Sequence, residues 1–94
     1  MLEPEHHLEL PADFDAHAWE VEAKGVLFDV VLRVAGERVT LVFYDPIRLA
    51  QDVSACVDAG RIFFEGHVVV VPRVTREAIE AAAASVAAQL AAKQ

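Results

Sequence analysis

Apolar and polar residues alternate along three stretches in the first half of the chain. Residues 19–23, 26–34 and 39–43 place an apolar side chain at every second position, which is typical of half-buried strands. A lysine-glycine pair at 24–25 and an alanine-glycine pair at 35–36 separate the stretches, and two-residue turns of this kind join antiparallel strands. The pattern predicts a three-stranded antiparallel meander.

The two turns also predict which residues face each other across the strands. Each predicted pair is apolar on both sides, and a slip of one residue would turn a whole apolar set to the opposite face. The expected pairs are Val21 with Phe28, Trp19 with Val30, Val30 with Leu41, Leu32 with Val39, and Phe28 with Phe43.

A helix, a fourth strand and a second helix are predicted to follow. Asp45 can cap a helix whose first position is Pro46, and Gly60 can end it. Residues 61–71 are rich in β-branched and aromatic side chains, which favour a strand. Thr75 can then cap an alanine-rich helix that runs to near the end of the chain.

The predicted fold is a single small α+β domain with the element order β-β-β-α-β-α. The antiparallel meander and the fourth strand form one sheet, and the helices pack on one face of it. Residues 1–16 contain two prolines and no clear apolar period, so we expect an irregular acidic N-terminal arm ahead of a domain at 17–94. A chain of 94 residues fits one domain with a modest core.

The net charge of −7 arises entirely in the N-terminal segment. Residues 1–22 hold seven of the 15 acidic residues and no Lys or Arg, whereas the other eight acids are balanced by eight bases. Such a field repels nucleic acid and anionic membranes, so we expect neither as a partner. The arm is expected either to be solvated or to bind a basic protein partner.

No feature of the sequence predicts export or membrane insertion. The N-terminal residues lack a basic segment followed by an apolar one, and no uncharged apolar run approaches the length of a membrane-spanning helix. Cys56 is the only cysteine, which excludes an internal disulfide. We therefore expect a cytoplasmic protein.

Tyr44, Asp45, Arg48 and Asp52 form the densest polar cluster, at the start of the first predicted helix. Arg48 lies three residues after Asp45 and four before Asp52, so one helical face can carry all three. A guanidinium beside helix N–H groups can bind a carboxylate or phosphate, which suggests an anionic-ligand site or a small active site. A helix cap with surface ion pairs is the alternative.

Histidines supply two further candidates. Glu65 and His67 face the same way on the predicted fourth strand, and a histidine beside a carboxylate can act as a general base. Cross-strand charge pairing is the alternative. His6 and His7 in the arm are potential metal ligands, although adjacent residues on a regular backbone point apart. Weak metal binding by the arm is thus an alternative function, and no cofactor is expected.

The second face of the predicted sheet carries apolar residues that the helices leave uncovered. By alternation it holds Leu27, Val31, Val42 and Tyr44. An apolar patch with a polar rim is typical of a protein–protein surface, and coverage by the arm or the last helix is the alternative. The sequence therefore predicts a non-enzymatic interaction module that forms a homodimer through its sheet; a small enzyme, an anionic-ligand binder and a weak metal binder are the alternatives.

Overall fold

A four-stranded mixed sheet with three α-helices forms the fold in the computed structural model, which describes residues 5–93. One short 3-10 helix precedes the first of them. In chain order the elements are β1 (His6–Glu9), the 3-10 helix (Phe14–His17), α1 (Ala18–Lys24), β2 (Val26–Val34), β3 (Glu37–Tyr44), α2 (Pro46–Asp58), β4 (Val68–Val70) and α3 (Arg76–Ala92). The α+β class is confirmed, and the element order matches the prediction apart from the helical segment inserted after β1.

The strands lie side by side in the order β1-β2-β3-β4. β1, β2 and β3 are antiparallel neighbours, whereas β4 is parallel to β3 and is reached through α2. The predicted meander with a fourth strand is thus confirmed. A helical crossover between β3 and β4 is what a parallel pair of neighbouring strands requires.

The first strand of the meander does not come from the predicted residues. Residues 19–23 lie in α1, and Gly25 ends this helix with a φ of 74° and an N–H that donates to the Val21 carbonyl. Five alternating residues fit a short helix as well as a strand, and the alanines, glutamates and lysine of residues 18–24 favour the helix. The two pairs predicted between this stretch and β2 are therefore wrong.

The strand that takes its place comes from the predicted arm. His6–Glu9 pair with the distal half of β2, Leu8 packs against the main core, and Phe14 is buried. These contacts add apolar burial that the sequence pattern of the arm does not reveal. The prediction of an irregular arm over residues 1–16 is wrong for this part of it, and residues 1–4 lie outside the described residues.

Acidic residues of the N-terminal segment bind arginines of the same chain. Such exposed ion pairs contribute little stability individually. Together they place the negative segment against basic residues of its own domain, so it is not a separate solvated arm. The pairs are Glu9 with Arg33 at 3.1 Å, Asp15 with Arg76 at 2.9 Å, and Glu22 with Arg73 at 3.8 Å.

A β-bulge in β2 changes the face of one predicted interface residue. The pairs next to the β2–β3 turn are as predicted, but beyond Val30 the register shifts so that Leu27, not Phe28, lies opposite Phe43. Asp29 adopts a φ of 61° at the bulge, which Asp tolerates better than most residues. Leu27 therefore lies in the main core, and the prediction that it faces the other side of the sheet is wrong.

The main core lies on the face of the sheet that carries Leu41 and Phe43. α3 covers this face with Ile79, Ala83 and Ala87, which are all 0% exposed. α1 contributes partly buried side chains to the same core. The small alanines let α3 pack closely on the sheet.

The opposite face carries a smaller cluster at the end of β3. Val42 and Tyr44 are buried there, with Leu49 of α2 and Phe63 from the following segment packed against them. α1 and α3 lie on the Leu41 side of the sheet, whereas α2 contacts this cluster on the other side, so the prediction that the helices pack on one face is wrong for α2. The reason is that α2 begins directly after β3, and the last residue of β3, Tyr44, faces this side of the sheet.

Both predicted helix caps are present. The Asp45 side chain accepts the N–H of Arg48 at 2.7 Å, and the Thr75 hydroxyl accepts the N–H of Ala78 at 3.3 Å. Each cap satisfies a backbone donor that lacks a partner in the first helical turn. Across residues 5–93, none of the helices combines the length and apolar character needed to cross a membrane.

The fourth strand is shorter than predicted. Only Val68–Val70 pair with β3, and residues 61–67 are irregular. His67 has a φ of 50°, outside the extended region, so the ladder begins only after it. The predicted strand is therefore wrong for residues 61–67, although their composition favours extended structure.

Candidate functional site

Tyr44, Arg48 and Asp52 form a hydrogen-bonded network, here called the Tyr44 network, between the end of β3 and α2. The buried Tyr44 hydroxyl donates to Asp52 Oδ2 at 2.9 Å, and Arg48 Nε donates to Asp52 Oδ1 at 2.8 Å. Arg48 and Asp52 meet because residues four apart are neighbours on a helix. Both carboxylate oxygens thus have a partner within the chain.

The Tyr44 network is fixed in one protonation state at neutral pH. Burial, followed by the hydrogen bond to Asp52 and the charges of Asp52 and Glu65, raises the pKa of Tyr44 to about 12. The hydrogen bond from Arg48, supported by that from Tyr44, lowers the pKa of the Asp52 carboxyl despite its partial burial. A general acid or base needs a pKa near the working pH, and neither group has one.

Asp45 and Arg48 also tie α2 to the end of α1. Arg48 Nη1 donates to the Lys24 carbonyl at 3.1 Å, and the Asp45 N–H donates to the Gly25 carbonyl at 2.9 Å. The packing is close, because a Cβ on Gly25 would lie 2.7 Å from Asp45 Cγ. The Arg48 guanidinium is directed at groups of its own chain, so the cluster serves as a structural junction between the two helices.

Glu65 and His67 do not form the pair that strand alternation suggested. Both side chains are exposed, and no hydrogen bond or ion pair joins them in the described part of the chain. The His67 carbonyl accepts the Val42 N–H at 3.2 Å, so its contribution to the sheet is made by the main chain. The general-base hypothesis depended on a regular strand here, and residues 61–67 are irregular.

The two histidines considered as metal ligands are separated by the geometry of β1. Successive residues of a strand point to opposite faces, so the half-buried His6 and the exposed His7 diverge. Between residues 5 and 93, no three His, Cys, Asp or Glu side chains are grouped as a metal site. Cys56 is a free, partly buried thiol on α2.

Three surface grooves of about 490, 740 and 470 Å³ are formed by described residues outside the Tyr44 network, although the third includes Lys24, whose carbonyl accepts from Arg48. They lie between β1 and the start of α3, at the β2–β3 turn and beside α1, and the network lines none of them. In the first groove, Arg76 binds Asp15 through Nε and Nη2 and lies 5.4 Å from the centre of the Phe14 ring. The Arg76 guanidinium, which is the positive charge in this groove, is thus already paired within the chain.

Most of the residues predicted as an interface are covered by the chain itself. Leu27 is 8% exposed, Val42 5% and Tyr44 2%. Val31 is half-buried and lies opposite Glu9 of β1. The sheet face therefore offers little continuous apolar surface to a second molecule.

Trp19, Phe28 and Ile47 are exposed apolar residues on α1, β2 and the start of α2, and four more lie at the end of α2, along the segment that leads into β4 and in β4 itself. Ile62 and Phe64 are 87% and 89% exposed, and Val57 and Val70 on either side of them in the chain are 56% and 49% exposed. Phe63 turns inward to the smaller cluster around Val42 and Tyr44. We call Val57, Ile62, Phe64 and Val70 the apolar edge.

Sequence reasoning missed the apolar edge because it assigned residues 61–71 to a continuous strand of the sheet. The useful signal was present in the alternation itself, since Ile62 and Phe64 share one side of an extended segment and Phe63 takes the other. A strand at the edge of a sheet covers only one of its sides and leaves its outer main-chain groups unpaired.

Comparison of the chain with protein-family models, with curated proteins and with solved structures finds no match.

Proposed function

We propose that this protein is a non-enzymatic protein-interaction module that self-associates, with the apolar edge as its contact surface. The observation that carries the proposal is the exposure of Ile62 and Phe64, two large apolar side chains that lie two residues apart in the segment before β4. Exposed apolar residues that occur singly are ordinary, whereas a contiguous set marks an interaction surface. A cytoplasmic setting is part of the proposal, because the single cysteine requires no oxidising compartment.

α2 supports this proposal independently. Its residues Leu49, Val53, Cys56 and Val57 form an apolar stripe, yet none of the helix's residues is buried. A helix in a protein gains most of its stability by packing an apolar face. α2 packs that face only partly within its own chain, so a partner placed at its C-terminal end has apolar surface to cover.

The proposal keeps self-association, as the sequence suggested, and moves the surface from the sheet face to the sheet edge. Leu27, Val42 and Tyr44 are buried within the chain, so they have little area to offer a partner. The polar residues near Val31 are exposed and form ion pairs such as Arg33 with Glu9.

The enzyme and ligand-binding alternatives rank below association. The Tyr44 network uses Arg48 and Asp52 for contacts within the chain, and neither titrating group exchanges protons near neutral pH. Metal binding by the β1 histidines also ranks lower, since His6 and His7 point to opposite faces of the sheet.

Sedimentation velocity of the wild type and two single variants tests the proposal. We expect a dimer at about 100 μM, where a complex of micromolar Kd is largely formed. Phe64→Ser should give a folded monomer because it removes an exposed apolar contact, and Val31→Arg should remain a dimer because it changes the sheet face. A wild-type monomer at this concentration contradicts self-association, and a dimer lost only with Val31→Arg returns the contact to the sheet face.

A further inference from the structure

We propose that two copies associate by antiparallel pairing of residues 61–65 with the same residues of a second copy, centred on Phe63. This inference rests on the proposed self-association and adds its partner strand, its register and its symmetry. It begins from the order of residues in this segment, which is Arg-Ile-Phe-Phe-Glu. When two copies of this segment pair in antiparallel fashion about Phe63, each residue faces a residue of complementary type.

The register follows from arithmetic on the sequence. When Phe63 lies opposite the second copy's Phe63, the numbers of facing residues sum to 126. Ile62 then faces Phe64, and Arg61 faces Glu65, on each side of a two-fold axis. Such an arrangement is the isologous contact expected of a C₂ dimer, in which each pair occurs twice.

Charge complementarity selects a second copy as the occupant. Arg61 and Glu65 are exposed, and neither forms an ion pair or side-chain hydrogen bond within residues 5–93. Several other arginines of the chain, such as Arg33, Arg48 and Arg76, bind a carboxylate of their own molecule. In the antiparallel register, Arg61 of each copy faces Glu65 of the other, and opposite charges at facing positions stabilise a strand pair.

The backbone of the segment is able to accept a strand partner. Residues 61–67 form no strand with β3, although their composition favours extended structure. Phe63 is turned to the smaller cluster while Ile62 and Phe64 are exposed, which is the alternation of an extended chain. The Arg61 N–H donates to the Cys56 carbonyl at 3.0 Å, whereas residues 62–65 form no main-chain hydrogen bond within residues 5–93, and pairing with a second copy supplies theirs.

The exposed area is sufficient for a weak dimer. A large apolar side chain exposes roughly 150–250 Å² when free, so the four residues of the apolar edge expose about 500 Å² in one copy and about 1,000 Å² in two. That total is below the roughly 1,200–2,000 Å² of stable specific interfaces and belongs to the class of weak, transient contacts. We therefore expect a dissociation constant in the micromolar range.

Charge reversal tests the register without changing the apolar contacts. Arg61→Glu places acidic residues at both 61 and 65, and Glu65→Arg places basic residues at both. Each variant alone should dimerise at least about tenfold more weakly than the wild type at low ionic strength, because like charges face each other twice. An equimolar mixture of the two should form a heterodimer at near wild-type affinity. The double variant Arg61→Glu/Glu65→Arg should dimerise like the wild type.

The outcomes separate this pairing from self-association in general. Sedimentation velocity and native mass spectrometry give the dimer fraction, and thermal melts check that the exposed substitutions leave the fold intact. If both single variants dimerise like the wild type, or if the mixture does not recover, the pairing is wrong while self-association stands. A wild-type monomer at about 100 μM would contradict both proposals, since a micromolar Kd predicts a dimer there.

Discussion

α2 and α3 are both well-capped helices, and they differ in what they bury. α3 places Ile79, Ala83 and Ala87 against the main core with no exposed area, whereas no residue of α2 is buried. Local sequence rules therefore define where both helices begin, but only one helix is secured by apolar packing. The comparison teaches that α3 buries its apolar residues within one chain, whereas α2 does so only partly.

Polar contacts hold α2 where apolar packing is thin. The Tyr44 network fixes the middle of the helix to β3, and the Asp45 cap fixes its start beside Gly25. Past Asp58 the chain passes into a segment whose Ile62 and Phe64 are in water. A partner that binds on this side covers apolar residues that a single chain leaves only partly packed.

The largest expected effect comes from one substitution made on both helices. Ile79→Ala should lower the free energy of unfolding by about 2–5 kcal/mol, because it removes a fully buried side chain and leaves a cavity. Ile47→Ala on α2 should change it by no more than about 0.5 kcal/mol, since Ile47 is 72% exposed. Urea denaturation monitored by circular dichroism gives both values. Equal losses for the two variants would show that the helices are not packed differently.

The next effect is expected at the junction between the two sides of the molecule. Gly25→Ala should cost about 2–3 kcal/mol, because a Cβ there strains a residue at a φ of 74° and displaces the Asp45 cap of α2. Gly36→Ala is the matched control, with a φ of 78° and no atom within 4 Å, and should cost only about 1 kcal/mol. Thermal melts measure the difference, and identical shifts for both variants would exclude the contact with Asp45 as its cause.

A smaller, pH-dependent effect should come from Asp52. Asp52→Asn should cost about 1–2 kcal/mol at pH 7, a modest value because Asp52 and Arg48 are partly exposed. The pKa of the native carboxyl is below its ordinary value of 3.8, so its ionisation stabilises the fold above that pH and the stabilisation is lost as the pH falls through the native pKa. The stability gap between wild type and variant should therefore close on acidification below about pH 4. A gap that stays constant down to pH 2 would contradict this role for the charge.

The pairing of β2 with β3 shows how far the sequence predicts the fold. Near the Ala35-Gly36 turn the short loop fixes the register, and the pair of Leu32 with Val39 is confirmed. Past Val30 the extra residue at Asp29 shifts the register, and nothing in the alternation indicates which residue a bulge will take. The helix caps were predictable because Asp45 and Thr75 accept hydrogen bonds from backbone groups only three residues away in the sequence.

The remaining errors concern elements whose state is decided by distant partners. The alternating residues of α1 suit a strand or a helix, and β1 owes its structure to the edge of β2 that it pairs with. The contact of Arg48 with Asp52 could be predicted from their helical spacing, whereas Tyr44 reaches Asp52 from the end of β3. The enclosure of the network by Lys24 and Gly25 could not be predicted, because those residues lie 20 positions or more before Arg48.

Amide hydrogen exchange measured at two protein concentrations tests the central claim most directly. We expect the amides of residues 61–65 to exchange rapidly at about 2 μM and to become protected at about 200 μM, because mass action fills a micromolar self-association site. α3 should be protected equally at both concentrations, since its packing is complete within one chain. Exchange in residues 61–65 that does not change with concentration would contradict the claim that a second copy completes this side of the molecule.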